Sequence, residues 1–138
     1  MPKFSKRSQD RLNTCHPDLQ KVFNEVIKYF DCSIIEGIRT KETQEEYVRT
    51  GKSRTMNSRH LDQGDGYSHA VDVAPFVKTH PNRIPWDDHR YFFILAGHVQ
   101  RIAAELGVEL RWGGDWDSDG NLSDQTFIDL PHWELPKK

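Results

Sequence analysis

Three short segments concentrate side chains that can hold a metal or move a proton: Ser58-Arg59-His60, His69-Ala70-Val71-Asp72 and Asp129-Leu130-Pro131-His132-Trp133-Glu134. A catalytic zinc takes three protein ligands of His or carboxylate type and keeps a fourth position for water, whereas structural zinc sites are closed and usually rich in Cys. His60, Asp72 and His132 supply such a set, with His69 as a rival to His60. In a strand the side chains alternate, so Ala70, Asp72 and Ala74 share one face while His69, Val71 and Val73 share the other. That alternation favours His60, with Leu61 to Ser68 looping out between fixed ends. His69 is then left to line the cleft or act from behind the ligands.

A second group of acids has a different spacing. Asp115, Asp117 and Asp119 alternate ahead of Gly120 and Asn121, as in the first half of a calcium loop, where oxygen ligands converge and glycine makes the sharp turn. The twelfth position is Thr126 rather than glutamate and no helical pattern flanks the loop, so Asp124 would have to complete the ligand set. The competing reading is a solvated acidic turn. An occupied loop next to Asp129 and His132 could couple calcium to activity.

Other chemistries lack support. There is no HExxH, CxxC or GxSxG, and Gly51-Lys52-Ser53 is preceded by Glu46 where a phosphate-binding loop needs its leading glycine. Cys15 and Cys32 have no partner motif and read as small buried hydrophobes. His16, His80, His89 and His98 read as surface or boundary residues. Trp86, Trp112, Trp116 and Trp133 read as core or cleft wall, with Trp133 placed to press on a ligand beside His132. Glu134 reads as an exposed strand carboxylate or as an orienting neighbour of a ligand, and Gln44 and Ser58 as cap or turn residues.

The elements that must position these groups follow from periodicity. Leu19, Val22, Phe23, Val26, Ile27 and Phe30 recur at helical spacing after Pro17. Cys32–Arg39 reads as a short strand, and Thr40 caps a polar helix from Lys41 to about Thr50, stopped by Gly51. Residues 52–68 read as loop, His69–Ala74 as a strand closed by Pro75, and Phe92 to Leu106 as a second core helix ended by Gly107. Val108–Trp112 and a stretch around His132–Leu135 are the remaining strands, separated by a glycine- and aspartate-rich loop. The order implies an α+β fold, a small antiparallel sheet backed by two main helices.

The chain is 138 residues long, with 19 basic and 21 acidic side chains and a formal charge of −2. That length supports one domain over 1–138 without a disulfide scaffold. The near-neutral balance speaks against nucleic acid as a partner. No stretch approaches the roughly 18–20 apolar residues of a membrane span, and Met1–Arg7 lacks the apolar run of a signal peptide. A cytoplasmic start and no membrane insertion are therefore expected, with Lys3, Lys6, Arg7 and Arg11 on a solvated terminus.

The pattern S-x-H, then A-x-D, then an acid three residues before a histidine resembles the zinc D-alanyl-D-alanine carboxypeptidase group that shares its fold with the Hedgehog domain. More narrowly, Glu36-Gly37-Ile38-Arg39-Thr40, Trp112-Gly113-Gly114-Asp115-Trp116 and Leu130-Pro131-His132-Trp133-Glu134-Leu135 resemble phage endolysins of the L-alanyl-D-glutamate peptidase type. The resemblance implies His60, Asp72 and His132 as zinc ligands and Asp129 as general base. It implies Arg39 as a guanidinium that binds a substrate carboxylate or steadies charge on the attacked carbonyl. It implies a zinc peptidase that accumulates in a host cytoplasm and cuts the peptidoglycan stem peptide once the membrane is opened; a monomer is expected, with calcium as a candidate regulator from the spacing of the acidic loop. Two alternatives stand beside it: a D-alanyl-D-alanine carboxypeptidase, and a non-catalytic zinc-stabilised binding module.

Overall fold

The structure is a computed structural model that describes residues 2–120 and 128–136. Its elements run α1 (Lys6–Leu12), α2 (Pro17–Val26), β1 (Cys32–Glu36), α3 (Lys41–Arg49), β2 (Ala70–Pro75), α4 (His89–Leu106), β3 (Arg111–Trp112) and β4 (His132–Glu134). The four strands form one antiparallel sheet in the order β1-β2-β4-β3. This is the expected α+β architecture.

The two apolar stripes read from the sequence make the helical layer. α2 starts at Pro17, where a missing N–H costs nothing, and buries Leu19, Val22, Phe23 and Val26. α4 buries Phe92, Leu95, Ala96, Val99, Ile102 and Ala103 and ends at Gly107, whose φ of 72° is a left-handed cap. Both contribute to one core with Ile34, Val71, Val73, Trp112 and Trp133. Trp112 and Trp133 stack with centroids 5.4 Å apart, joining β3 and β4 to that core. Cys15 and Cys32 are buried in it, and burial pushes the Cys15 thiol up to about 12, the mark of an inert packing residue.

Two local differences from the sequence reading bear on the site. The amino-terminal segment is helical rather than a loose basic tail: Ser5 caps α1, Ser8 and Leu12 are buried, and Arg11 donates to the Ile34 carbonyl. The strand expected over Val108–Trp112 is confined to Arg111 and Trp112, because β4 offers only Glu134 and Trp133 as partners. In β1 the register shifts between Ile34 and Glu36, and the bulge turns Glu36 toward Arg39 and Tyr47.

Candidate metal centre

β2 and β4 are paired with Asp72 opposite His132, so the sheet itself sets these two side chains beside each other. His60 comes from the loop before β2. Its backbone carbonyl accepts the Arg39 N–H at 2.9 Å and its own N–H donates to Ser58 Oγ at 3.1 Å, which fixes the loop over the end of β1. Asp72 Oδ1 lies 3.2 Å from His60 Nε2 and 3.2 Å from His132 Nδ1. Three ligands at about 2.0–2.1 Å from a tetrahedral zinc stand about 3.3 Å from one another. The spacing of this set fits that geometry.

The outer bonds of both rings point the same way. His60 Nδ1 faces the Gly37 carbonyl at 2.8 Å, and a carbonyl can only accept, so Nδ1 carries a hydrogen and Nε2 is the nitrogen turned to Asp72. His132 Nε2 lies 2.8 Å from Glu134 Oε1, which leaves Nδ1 toward Asp72. Metal-binding histidines are held in this manner, by an acceptor on the nitrogen away from the metal. Glu134 is therefore buried at 7% exposure, not an exposed strand carboxylate.

A second group, His16, Asp65 and His69, also converges. Its hydrogen bonds run in the opposite sense. Arg59 Nη2 stands 3.3 Å from His69 Nδ1, and a guanidinium can only donate, so Nε2 carries the ring hydrogen and donates to Asp65 at 2.7 Å. His16 Nδ1 accepts the Asp18 N–H at 3.0 Å as the cap of α2. His69 thus pins the 61–68 loop to Arg59, itself held by the Leu135 carbonyl, and stands apart from the group around Asp72.

The electrostatics of the first group match its crowding. Burial alone would raise Asp72, but the His60 charge and hydrogen bonds from both histidines outweigh it and hold the carboxyl well below the usual carboxylate range. Burial alone would lower His132, but bonds to Asp72 and Glu134, with the charges of Asp72 and Asp129, raise it to about 9. In the metal-free chain a proton therefore sits on the nitrogen that faces Asp72. Asp129 Oδ2 is 4.0 Å from His132 Nδ1, half-buried, and its pKa is raised by burial first and by the Asp72 charge second.

Gly113 sets Asp129. Its N–H donates to the His132 carbonyl at 2.8 Å, its carbonyl accepts the Asp129 N–H at 2.9 Å, and any Cβ on Gly113 would collide with the Asp129 carbonyl. Gly114 packs under the Trp112 ring in the same way, which explains the adjacent glycines. Trp116, rather than Trp133, faces the centre: its ring is 5.3 Å from that of His132, while Trp133 is 1% exposed in the core.

Arg39 lies in the same cleft, a hollow of about 790 Å³ that also holds Tyr47, His60, Asp72, Asp129 and His132. Its guanidinium is paired with Glu36, donates to Gln44 Oε1 at 2.6 Å and stacks 4.5 Å over Tyr47. Gln44 is fully buried and spans from Arg39 to Ser53 and the Thr55 carbonyl, so it is a cross-brace rather than a cap.

The acidic loop is described in part. The carboxylates of Asp115, Asp117 and Asp119 converge, Gly120 has the left-handed φ of 78°, and the buried Asp115 Oδ1 has no hydrogen-bond partner among the described residues. Asn121 and Asp124 lie outside the described residues.

Comparison with known proteins places these features in context. Residues 1–136 match the model of the phage L-alanyl-D-glutamate peptidase family. The L-alanyl-D-glutamate peptidase of Escherichia phage T5 is 32% identical over 128 residues, covering 89% of this chain and 88% of that protein. The enzyme of the same name from Listeria phage A118 is 33% identical over 105 residues, 76% of this chain but 30% of that longer protein. The crystal structure of the Serratia marcescens L-Ala D-Glu endopeptidase ChiX superposes with a TM-score of 0.77 at 33% identity, covering 97% of this chain and 90% of that one. With nearly its whole length matched, the chain belongs to the phage L-alanyl-D-glutamate peptidase family.

Proposed function

We propose that the chain is a monomeric, single-domain zinc peptidase that hydrolyses the L-alanyl–D-glutamate amide of the peptidoglycan stem peptide and serves as a phage endolysin. The observation that carries this reading is the convergence of His60, Asp72 and His132, each histidine held by an acceptor on its far nitrogen, with Asp129 4.0 Å from His132. These three residues would hold the metal. When bound, zinc polarises the scissile carbonyl and brings the pKa of water toward about 7.

The protein's own groups divide the remaining work. Asp129, with its pKa raised, takes a proton from the attacking water at Oδ2 and returns it to the amide nitrogen as the C–N bond breaks, leaving a carboxylate and an amine. Glu134 and the Gly37 carbonyl keep the two imidazoles in the tautomers the centre needs. Arg39, braced by Glu36 on Nε and Nη2 and by Gln44 and Ser58 on Nη1, lines the cleft, where its charge would steady a substrate carboxylate or charge on the attacked carbonyl. None of the helices is long and apolar enough to cross a membrane, among the described residues. Access to the wall would follow opening of the membrane by another protein.

A second reading concerns calcium. Loss of hydration and hydrogen bonds with Asp115 and Asp119 raise the Asp117 pKa, the mark of crowded acids that a divalent cation would relieve. With Asn121 and Asp124 completing the set, calcium bound next to Asp129 and His132 would couple to activity.

The test is mass spectrometry of fragments released from purified peptidoglycan by the zinc-loaded protein, with a chelated control. Chelator-sensitive L-alanine carboxyl ends and D-glutamate amino ends are expected. Free D-alanine would make the protein a carboxypeptidase, and the absence of new ends from several wall types would make it a binding module.

A further inference from the structure

A second hollow, of about 540 Å³, adjoins the metal-centre cleft and shares Asp129 with it. That volume is typical of a small-ligand site. Its walls are Trp86, His89, Phe92 and Phe93 from the start of α4 and the turn before it, facing Ile128 and Pro131 across the floor. Trp86, Phe93 and Ile128 are 50%, 44% and 52% exposed, an unusual density of large apolar side chains for a small soluble domain. The nearby charges are already matched, Asp87 with His80 and Asp88 with Arg90. Among the described residues, Asp129 is the one ionisable carboxylate that lines it.

The two hollows differ in chemistry, and the substrate does too. The metal-centre cleft is the more basic one, with Arg39, Lys52, Arg54, Arg59 and Arg111 set against Asp72, Asp129 and Glu134. On the D-glutamate side of the scissile amide the stem peptide carries one carboxylate after another, which suits that cleft. On the L-alanine side the substrate stops being peptide: the alanine nitrogen is acylated by the lactyl group of an N-acetylated amino sugar. A pyranose presents a flat face of C–H groups that packs on aromatic rings, and its hydroxyl and acetamido groups accept and donate at the edges. An apolar groove with two exposed aromatic rings and an imidazole at its rim has that complementarity, and Asp129 marks the point where the two halves of the substrate meet.

Building on the peptidase reading above, we propose that the Trp86–Phe93 groove is a sugar subsite that seats the muramic acid ring bearing the scissile L-alanine. The enzyme would then read the junction between glycan and peptide rather than the peptide alone.

The experiment compares kcat/KM on two substrates with the same stem peptide, one carrying N-acetylmuramic acid and one carrying a plain N-acetyl cap, for the wild-type protein, Trp86→Ala, Phe93→Ala and the conservative Trp86→Phe. The sugar-bearing substrate is expected to be preferred, and the preference to fall by roughly two- to tenfold for each ring removed, with Trp86→Phe restoring most of it. Equal rates on both substrates for the wild type, or an unchanged ratio in both alanine variants, would overturn the subsite. If the wild type cuts neither substrate, the peptidase reading fails instead. The subsite is then judged by tryptophan fluorescence on titrating N-acetylmuramic acid linked to L-alanyl-D-isoglutamine: a saturable change lost in Trp86→Ala and Phe93→Ala supports it, and no change rejects it.

Discussion

Glu134 accepts the Nε2–H of His132 at 2.8 Å from two residues along the same three-residue strand. The strand period puts both side chains on one face, so β4 carries a candidate ligand and the group that aims it. Removing that acceptor frees the ring to rotate or change tautomer. Glu134→Ala is expected to weaken zinc affinity about 10–100-fold with the fold retained. A competition titration against a chromophoric chelator checks this, and an unchanged affinity would remove Glu134 from the centre.

Asp129 touches neither His60 nor Asp72 in the hydrogen-bond network and is half-exposed, so its role separates from metal holding. Asp129→Asn is expected to retain zinc and thermal stability while hydrolysis falls by roughly 10²–10⁴. Loss of metal together with activity would mean that Asp129 is a ligand rather than a base.

His60 and His69 make hydrogen bonds of opposite sense, which gives a clean contrast. His60→Ala is expected to abolish stoichiometric zinc binding. His69→Ala should leave it in place and instead loosen the 61–68 loop, seen as faster amide exchange or proteolysis there. Metal lost from the His69 variant and kept in the His60 variant would reverse the assignment.

Gly113→Ala places a methyl group against the Asp129 carbonyl. Relief requires the Asp129 segment to move, at a cost of ~1–3 kcal/mol. Turnover is expected to drop further than zinc affinity, because the shift acts on Asp129 directly and on His132 only through its carbonyl. Calorimetry and steady-state kinetics on the same sample would show whether the two separate.

The pH dependence should change sign with the metal. In the metal-free chain the His132 pKa is raised from 6.5 to about 9, so its contribution to stability is complete below 6.5 and is lost as pH rises through about 9. A metal on the same nitrogen competes with that proton, so the loaded protein should gain stability relative to the metal-free one over the same interval. Urea denaturation from pH 6 to 9.5, with and without chelator, reads both curves; parallel curves would contradict the shared nitrogen.

Much of this site was legible because it lies on regular elements. The alternation of β2 separates Asp72 from His69, and the stripes of α2 and α4 define the core face against which the sheet packs. The same alternation in β4 assigns Trp133 to the core and Glu134 to the cleft once His132 is known to face the cleft, yet burial of Glu134 depends on β2 and β3, which flank it from far along the chain. α1 escaped notice because its buried face is only Ser8 and Leu12, too little for a periodic signal. Trp116 reaches His132 through the path of a loop, and Arg39, Glu36 and Gln44 meet through a bulge and a helix, relations that spacing does not encode.

β4 follows the other three strands in the chain, yet it lies between two of them in the sheet. Until residues 132–134 emerge from the ribosome, β2 has one unpaired edge, β3 has no strand beside it, and Asp72 lacks its opposite number. The final closure is a long-range pairing, the slow kind in folding. Interrupted synthesis therefore yields an open sheet lacking its His132 rather than a feeble hydrolase. The strand order thus ties formation of the Asp72–His132 pair to the synthesis of β4.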